Sequence, residues 1–523
     1  MEKRLLLAIA LSFLVIGVYT AVIPKPKVAE NKAVIENITS KTTDSVLFAN
    51  VPQAMPEPVA LGDKNLKLLQ DKDLINIDSN GMTLRFAKKG AFLYEIFDKK
   101  HKTTLAIKNI GLVQEWAGYD FTSAEITRGI VFTYRNVDGL TIKKTFRIKD
   151  SNDLELSIDI SGVNDSKTTG YNISAGSFSP EQEKDQISAR YYESCAIVNG
   201  ITVRKPVHGL KKAIVLDGHI LWSGLRDRYF CSVFYPQISV NAGVIENINK
   251  NIYSLLSIPA REVNGRSERI EDIYNIYVGP QDESSLKAFG GGAEKIISYG
   301  TFDSISKVLL FFLKFGFKMT KSWGLAIIFI TIFVYLLLFP LSIKSMLSMK
   351  KMQSLQPKIE ELRKKLKDNP QKLNIEIMEL YKTEKVNPLG GCLPMILQIP
   401  VFFALYQLLM RFISLRGANF LWIKDLAEPD RLVTFRSSLP VLGNELNILP
   451  LLMAVSMFFQ QKITASQASA SPEAAQQQKI MMFMMPVLFG ALFYKLPAGL
   501  VLYWFVNSLL MIAFQWKISK TNA

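Results

Sequence analysis

Seven uncharged polar side chains stand inside otherwise apolar stretches of the C-terminal part of this chain: Thr331, Tyr335, Gln398, Ser456, Gln460, Asn507 and Ser508. A polar group buried in hydrocarbon without a partner costs roughly a few kcal/mol. These groups therefore have two fates. Either they bond across helices as packing glue, or they surround a shared wet cavity that receives the polar stretch of an arriving molecule. Residue types alone leave both open. Other chemistry finds little to work with. His101, His208 and His219 are scattered without ligand spacing, so no metal site follows. No Walker-type glycine loop and no recognisable acid–base set is present, which gives no catalytic residues and no cofactor. Cys195 and Cys231 either pair, if the polar half faces an oxidising compartment, or remain thiols, and Cys392 reads as a small apolar residue at a membrane edge.

The elements that must position these groups fall into two halves. A length of 523 residues predicts two or more domains, and the average of 49% hydrophobic and 21% charged residues conceals a polar, strand-like half and an apolar half with basic loops. The formal charge of +16 favours anionic partners such as phospholipid head groups. After Lys3-Arg4, the uncharged stretch 5–23 is long enough to cross a bilayer and reads as an uncleaved transmembrane anchor (1–23) with its N-terminus cytoplasmic. A proline-dotted flexible linker occupies 24–65. Residues 66–303 alternate as strands, with Asn80-Gly81 and Asp138-Gly139 as hairpin turns, and predict a large all-β sandwich whose last part, near 284–298, is helical. Residues 304–321 predict an amphipathic helix lying in the membrane interface, with Ile305, Val308, Leu309, Phe312 and Leu313 on one face and Lys307, Lys314, Lys318 and Lys321 on another.

Five spans follow, 322–343, 389–410, 446–461, 480–494 and 496–516, none holding a formal charge. The loop 344–388 holds eleven Lys/Arg against six Asp/Glu, whereas 412–445 holds four against four. The positive-inside rule places the first in the cytoplasm with the tail 517–523. Both termini are then cytoplasmic, and the β-domain is periplasmic. Arg411, just past its span, is expected to snorkel. The spans 446–461 and 480–494 fall short of the ~20 residues a crossing needs. Either polar flanks such as Gln476–Gln478 lengthen them or the bilayer thins. Residues 464–479 read as a flexible loop, and the methionines at 481, 482, 484 and 485 as lipid-facing filler or as an adaptable wall for other helices. Within 344–388, Met352, Leu355, Ile359, Leu362 and Leu366 recur at helical spacing, as do Leu373, Ile377 and Leu380. Asn369-Pro370 between them supplies an N-cap and an N1 proline, predicting a helical hairpin with arms of ~30 Å. The hairpin is either a linker or a docking element through Lys350, Lys351, Lys358, Arg363, Lys364 and Lys365.

Several ordered motifs carry a resemblance: MKKMQSLQPKIEELRKKL, LYKTEKVNPLGGCLPMILQIPVFFALY, LWIKDL, QQQKIMMFMMPV, PAGLVLYW and, earlier, NIYVGP. Together they resemble the YidC/Oxa/Alb insertase family in its Gram-negative form, densely over about 300–516 and loosely over the β-domain. The resemblance implies a five-helix core with a hydrophilic groove open to cytoplasm and lipid but closed outward, and a periplasmic β-supersandwich similar to sugar-mutarotase folds. It maps the groove lining onto Thr331, Tyr335, Gln398, Phe402, Tyr503 and Trp504. The implied function is insertion, folding and assembly of inner-membrane proteins, alone or with the Sec translocon and its accessory subunits. The implied partners are nascent membrane proteins, the ribosome and anionic phospholipids, with no specific nucleic acid and no small-molecule substrate. One position departs: the family places an arginine five residues before the proline at the inner end of the second span, and here that count from Pro340 lands on Tyr335. A transporter would show repeats, broken helices or intramembrane charges, and a carbohydrate enzyme would need converging carboxylates in the β-domain.

Overall fold

The computed structural model describes residues 73–521 apart from 80, 163–169, 181–185, 262–268, 368, 385, 387–392, 440–442 and 467–471. The expected anchor (1–23) and the whole linker (24–65), along with Cys392, lie outside the described residues.

The β-domain is built on a nine-stranded antiparallel sheet. In spatial order its strands are Ile201–Pro206, Glu193–Val198, Ile220–Arg226, Phe230–Pro236, Ile270–Pro280, Asp153–Ser161, Thr141–Ile148, Gly129–Arg135 and Thr122–Ile126. Alternation decides which face is covered. Ile142, Phe146, Leu154, Leu156, Ile158, Tyr274 and Ile276 share one buried face, in register across three strands. Two four-stranded sheets close over that face. The first (Leu74–Asp78, Met82–Ala87, Phe92–Asp98, Thr103–Thr104) inserts Phe86 against Phe132 and Phe146. The second (Ile214–Asp217, Ala242–Ile248, Asn251–Ile258, Tyr171–Phe178) meets it through Ser254 Oγ, 2.9 Å from Ser223 Oγ.

Charged groups buried in this interior are held by partners. Asp272 is fully buried yet accepts from Tyr171 Oη at 2.6 Å and from both terminal nitrogens of Arg261. Lys144 is also fully buried, its ammonium held by the carbonyls of Gly111 at 2.6 Å and Gly90 at 3.3 Å, and burial lowers its pKa to about 7. Both Cys195 and Cys231 are free, buried thiols. Burial pushes Cys195 up to about 11 and Cys231 well above its ordinary value, so neither is a ready nucleophile.

The opposite face of the nine-stranded sheet receives α1 (Glu283–Phe289) and the segment after it. Phe289 meets Tyr277 edge-on, and Trp222 Nε1 donates to the Gly291 carbonyl. Asp282 caps α1 through the Ser285 amide. Helix α2 (Asp303–Thr320) follows and packs on α3 (Trp323–Ser354) and α6 (Leu393–Arg411). Its surface divides into three stripes rather than the two read from sequence. Leu309, Leu310, Leu313 and Gly316 are buried against the bundle, whereas Ile305, Val308, Phe311, Phe315 and Met319 form a separate exposed apolar stripe beside the lysines. The split arises because α2 docks on protein along one face, and leaves another apolar face uncovered.

Helix α3 runs through Pro340 and ends at Ser354, ten residues beyond the start of the loop read at 344. The hairpin therefore consists of the tail of α3 and two short helices, α4 (Gln356–Lys365) and α5 (Pro370–Thr383), with α5 only ~21 Å long. Asn369 accepts from the Lys372 amide and Pro370 opens α5. Leu355, Ile359 and Val386 form a small core of their own, packed by Met352, Ile377, Leu380 and Tyr381.

Three more helices complete the bundle: α7 (Ile448–Ser466), α8 (Pro472–Phe493) and α9 (Ala498–Thr521). Residues read as a loop at 464–479 instead extend α7 and α8, leaving only 467–471 outside the described residues. Alanine and glutamine favour helix, and Pro472 sits where a helix tolerates it. The polar flanks thus lengthen both helices, although their apolar parts, Ile448–Ile463 and Ile480–Phe493, remain short. Helix α9 packs against α3, α6 and α7, and α8 packs on α7. Among the described residues two helices, over Trp323–Ser348 and Ala498–Lys517, are long and apolar enough to cross a membrane.

Candidate functional site

Because α9 touches three other helices, the polar and aromatic residues it carries decide what the bundle interior can bind. Tyr503 is buried, and its hydroxyl faces the Gln398 amide on α6 without meeting hydrogen-bond geometry. One position on, Trp504 meets Phe402 of α6 edge-on at 4.9 Å and packs against Phe489 and Phe493 of α8. Near the other end of α9, Phe514 contacts Tyr335 and Phe339 of α3. The Tyr335 hydroxyl is likewise buried and has no hydrogen-bond partner.

Thr331 behaves differently. It is buried, but its hydroxyl donates 2.6 Å to the Ile327 carbonyl one turn earlier on its own helix. Ser456 does the same with Met453. So the structure brings Gln398 beside Tyr503 without a hydrogen bond, sets Phe402 against Trp504, and places Tyr335 against α9 through Phe514, while Thr331 satisfies itself locally. The contribution of Phe514 was missed, although Tyr503, Asn507 and Phe514 recur at one-face helical spacing.

Unpartnered buried hydroxyls are uncommon and cost roughly 1–3 kcal/mol each. Prolines add further free acceptors to the same helices. Pro340, Pro400 and Pro486 lie inside α3, α6 and α8. Each lacks an amide hydrogen, which leaves the carbonyl four residues earlier (Leu336, Ile396 and Met482) without its helical donor. The buried hydroxyls of Tyr335 and Tyr503 and the Gln398 amide give the interior uncharged hydrogen-bonding groups edged by aromatic rings.

The end of the bundle beneath the β-domain is tied shut. Asp430, almost fully buried, accepts from the Ile448 and Leu449 amides at 2.9 and 3.0 Å and from Trp422 Nε1 at 3.2 Å, capping α7 from eighteen residues upstream. Asn447 bonds the Tyr494 carbonyl, and the Tyr494 hydroxyl returns to the Glu445 carbonyl, both at 2.8 Å. The amides of Ala498 and Gly499 at the start of α9 donate to Glu428 and Leu426. Gly324 has no room for a side chain because Phe420 lies against it. A hairpin not anticipated from sequence, Val433–Leu439 with Gly443–Leu446, leads into α7 at this end.

Arg411 does not snorkel. Its guanidinium donates to the Ser298 carbonyl, which also accepts from Arg226, and it lies over the Tyr191 ring. Arg228 reaches the Met410 carbonyl in the same way. The β-domain supplies the counter-surface that a reading of the span alone lacked. At the far end, Lys351, Arg363, Lys364 and Lys365 are exposed and Lys358 pairs with Glu384 at 2.6 Å. The Lys350 side chain lies outside the described residues.

Two family models match this chain: one described as 60Kd inner membrane protein, over residues 315–523, and one described as YidC periplasmic domain, over 75–312. The membrane protein insertase YidC of Citrifermentans bemidjiense is 33% identical over 562 residues, covering 100% of both chains. Its counterpart in Geotalea uraniireducens is 33% identical over 557 residues, covering 100% of this chain and 99% of its own. Among solved structures, an active YidC insertase with its first transmembrane domain resolved aligns over 86% of this chain and 93% of its own, at 18% identity and a TM-score of 0.41. The YidC of Thermotoga maritima aligns over 85% and 98%, at 13% identity and a TM-score of 0.33.

Proposed function

The chain belongs to the YidC family of membrane protein insertases, and we propose that it eases clients into the bilayer through an uncharged, hydrogen-bonding groove among α3, α6 and α9 that opens toward the hairpin. The observation that carries this reading is the pair of buried, unpartnered hydroxyls on Tyr335 and Tyr503. A client helix needs no external energy to enter lipid, since burying its apolar surface gives ~25 cal/mol per Å². Its barrier is the polar stretch that must cross with it, each unpaired group of which costs several kcal/mol. The hydroxyls and the Gln398 amide replace part of the lost water, while Phe402 and Trp504 offer apolar contact. Thr331 shapes the wall rather than donating.

Tyr335 stands where the family has an arginine, so the groove acts by hydration and hydrogen bonding rather than by pairing an acidic client. No covalent chemistry is assigned. The charge surplus of 344–388 supports a cytoplasmic hairpin and cytoplasmic termini, with 66–303 as the periplasmic domain and 304–321 lying along the membrane surface on its exposed apolar stripe. Residues 322–516 are then the insertase core. Lys350, Lys351, Lys358, Arg363, Lys364 and Lys365 form the docking surface for ribosomes and anionic lipid, and the Sec translocon is the expected partner for larger clients.

Insertion of a client with an uncharged polar tail into liposomes bearing the purified protein tests the reading. Tyr503→Phe and Tyr335→Phe each slow insertion by about fivefold, the worth of one neutral hydrogen bond, whereas Tyr335→Arg keeps it. Loss with both Tyr335→Phe and Tyr335→Arg would show that polarity at this position is not what matters.

A further inference from the structure

We infer that the cavity at the β-domain end of the helical bundle binds the phosphate of a glycerophospholipid head group. The cavity encloses about 560 Å³, within the ~300–1,000 Å³ of small-molecule sites, and Arg228, Glu428, Arg431, Glu445, Tyr494 and Lys495 are among its lining residues. Its charges do not cancel. Arg431 is committed to both carboxylates, with Nε 2.8 Å from Glu445 and Nη2 3.2 Å from Glu428. Two cations remain. Arg228 is only 7% exposed, and its guanidinium contacts the Met410 carbonyl and sulfur and the face of Tyr229. Those groups offer dipoles and a ring but no charge, and among the described residues no carboxylate pairs with it. A buried cation without a counter-ion is costly. Lys495 is exposed at the rim and makes no ion pair among the described residues. One buried guanidinium and one ammonium facing a common space suit an oxyanion, which takes charge-assisted bonds from both.

Depth and surroundings select a lipid over a free ion. The cavity is bordered by Met410 at the end of α6, Asn447 before α7, Tyr494 after α8 and Pro497 before α9, so it sits where four helices stop. Just inward of it, Leu451 and Val455 on α7 and Leu492 on α8 expose apolar side chains of the kind acyl chains cover. A head group seated in the cavity would send its chains along them. The site is separate from the proposed groove, so either can fail without the other.

The test is titration of the full-length protein, in maltoside detergent, with dihexanoyl phosphatidylglycerol, inorganic phosphate and dihexanoylglycerol. Saturable binding of the phospholipid is expected, weakened about tenfold by Lys495→Ala and further by Arg228→Gln, the loss of a charge-assisted bond in each case. Lys495 is exposed, so its variant decides the matter even if Arg228→Gln disturbs the joint. Inorganic phosphate binding as tightly as the phospholipid would overturn the lipid assignment. Equal affinity for dihexanoylglycerol, or no change in Lys495→Ala, would overturn the phosphate site.

Discussion

Around the β-domain end of the bundle, helix termini are held by buried side chains drawn from distant segments; at the hairpin end, α4 and α5 hold chiefly each other. Asp430 caps α7, Asn447 and Tyr494 lace α7 to α8, and Arg228 and Arg411 bind the end of α6 to the β-domain. Among the described residues the hairpin has instead a core of three buried residues and one exposed ion pair. Between these ends lie the unpartnered hydroxyls of Tyr335 and Tyr503. The difference teaches where motion is cheap. A groove braced at one end and lightly held at the other opens in one direction, and that asymmetry is what an insertase needs to admit a client without breaching the membrane.

The largest effect should come from cutting the brace. Asp430→Ala leaves two helix amides and an indole nitrogen without their acceptor and lowers stability by about 3 kcal/mol, whereas Asp430→Asn, which keeps an acceptor, costs about 1 kcal/mol. Thermal unfolding in detergent reads both. If the alanine variant melts like wild type, the two ends are not held differently.

The β-domain that anchors this brace should also answer to pH through Lys144. Its folded pKa of about 7 lies below the unfolded value of 10.5. Between those values the unfolded chain binds more protons, so stability rises with pH; below pH 7 the penalty stays at its full size. From pH 7 to 9 the gain is about 2 kcal/mol. Melting curves of the full chain should shift upward accordingly, and Lys144→Met should abolish the shift.

At the weaker end, Ile359→Ala removes one of three buried hairpin residues and speeds amide exchange across Leu355–Thr383 by the equivalent of about 1.5 kcal/mol, with the global melting point unchanged. A fall in the global melting point would mean that the hairpin is part of the same cooperative unit as the braced end. Smallest of all, Lys358→Ala breaks an exposed pair with Glu384 and costs about 0.5 kcal/mol or less, fading at high salt.

Much of this was legible in the sequence because its signals are local. Strand alternation such as Leu154–Ile160 set the buried face of the large sheet, and Asn369-Pro370 marked the start of α5 through a cap and a proline that act within one turn. Apolar runs marked where the bundle helices lie. What escaped was non-local. Asp430 lies in a loop with no helix beside it in sequence, so nothing nearby marks it as the cap of α7. Arg411 read as a charge seeking water because its partner, the Ser298 carbonyl, is 113 residues away. For the candidate site, residue type singled out Tyr335 and Gln398 and the family resemblance added Tyr503, but only geometry separates them from Thr331, whose hydroxyl is already bonded to its own backbone.

Cysteines placed one at a time at 335, 398 and 503, in a Cys392→Ser background that keeps the buried Cys195 and Cys231 and serves as the unlabelled control, test the central claim when treated in sealed vesicles with a membrane-impermeant maleimide. The account predicts labelling at all three positions when the reagent is added on the hairpin side, and none when it is added on the β-domain side. Labelling from both sides, or from neither, would contradict a water-accessible groove closed at one end.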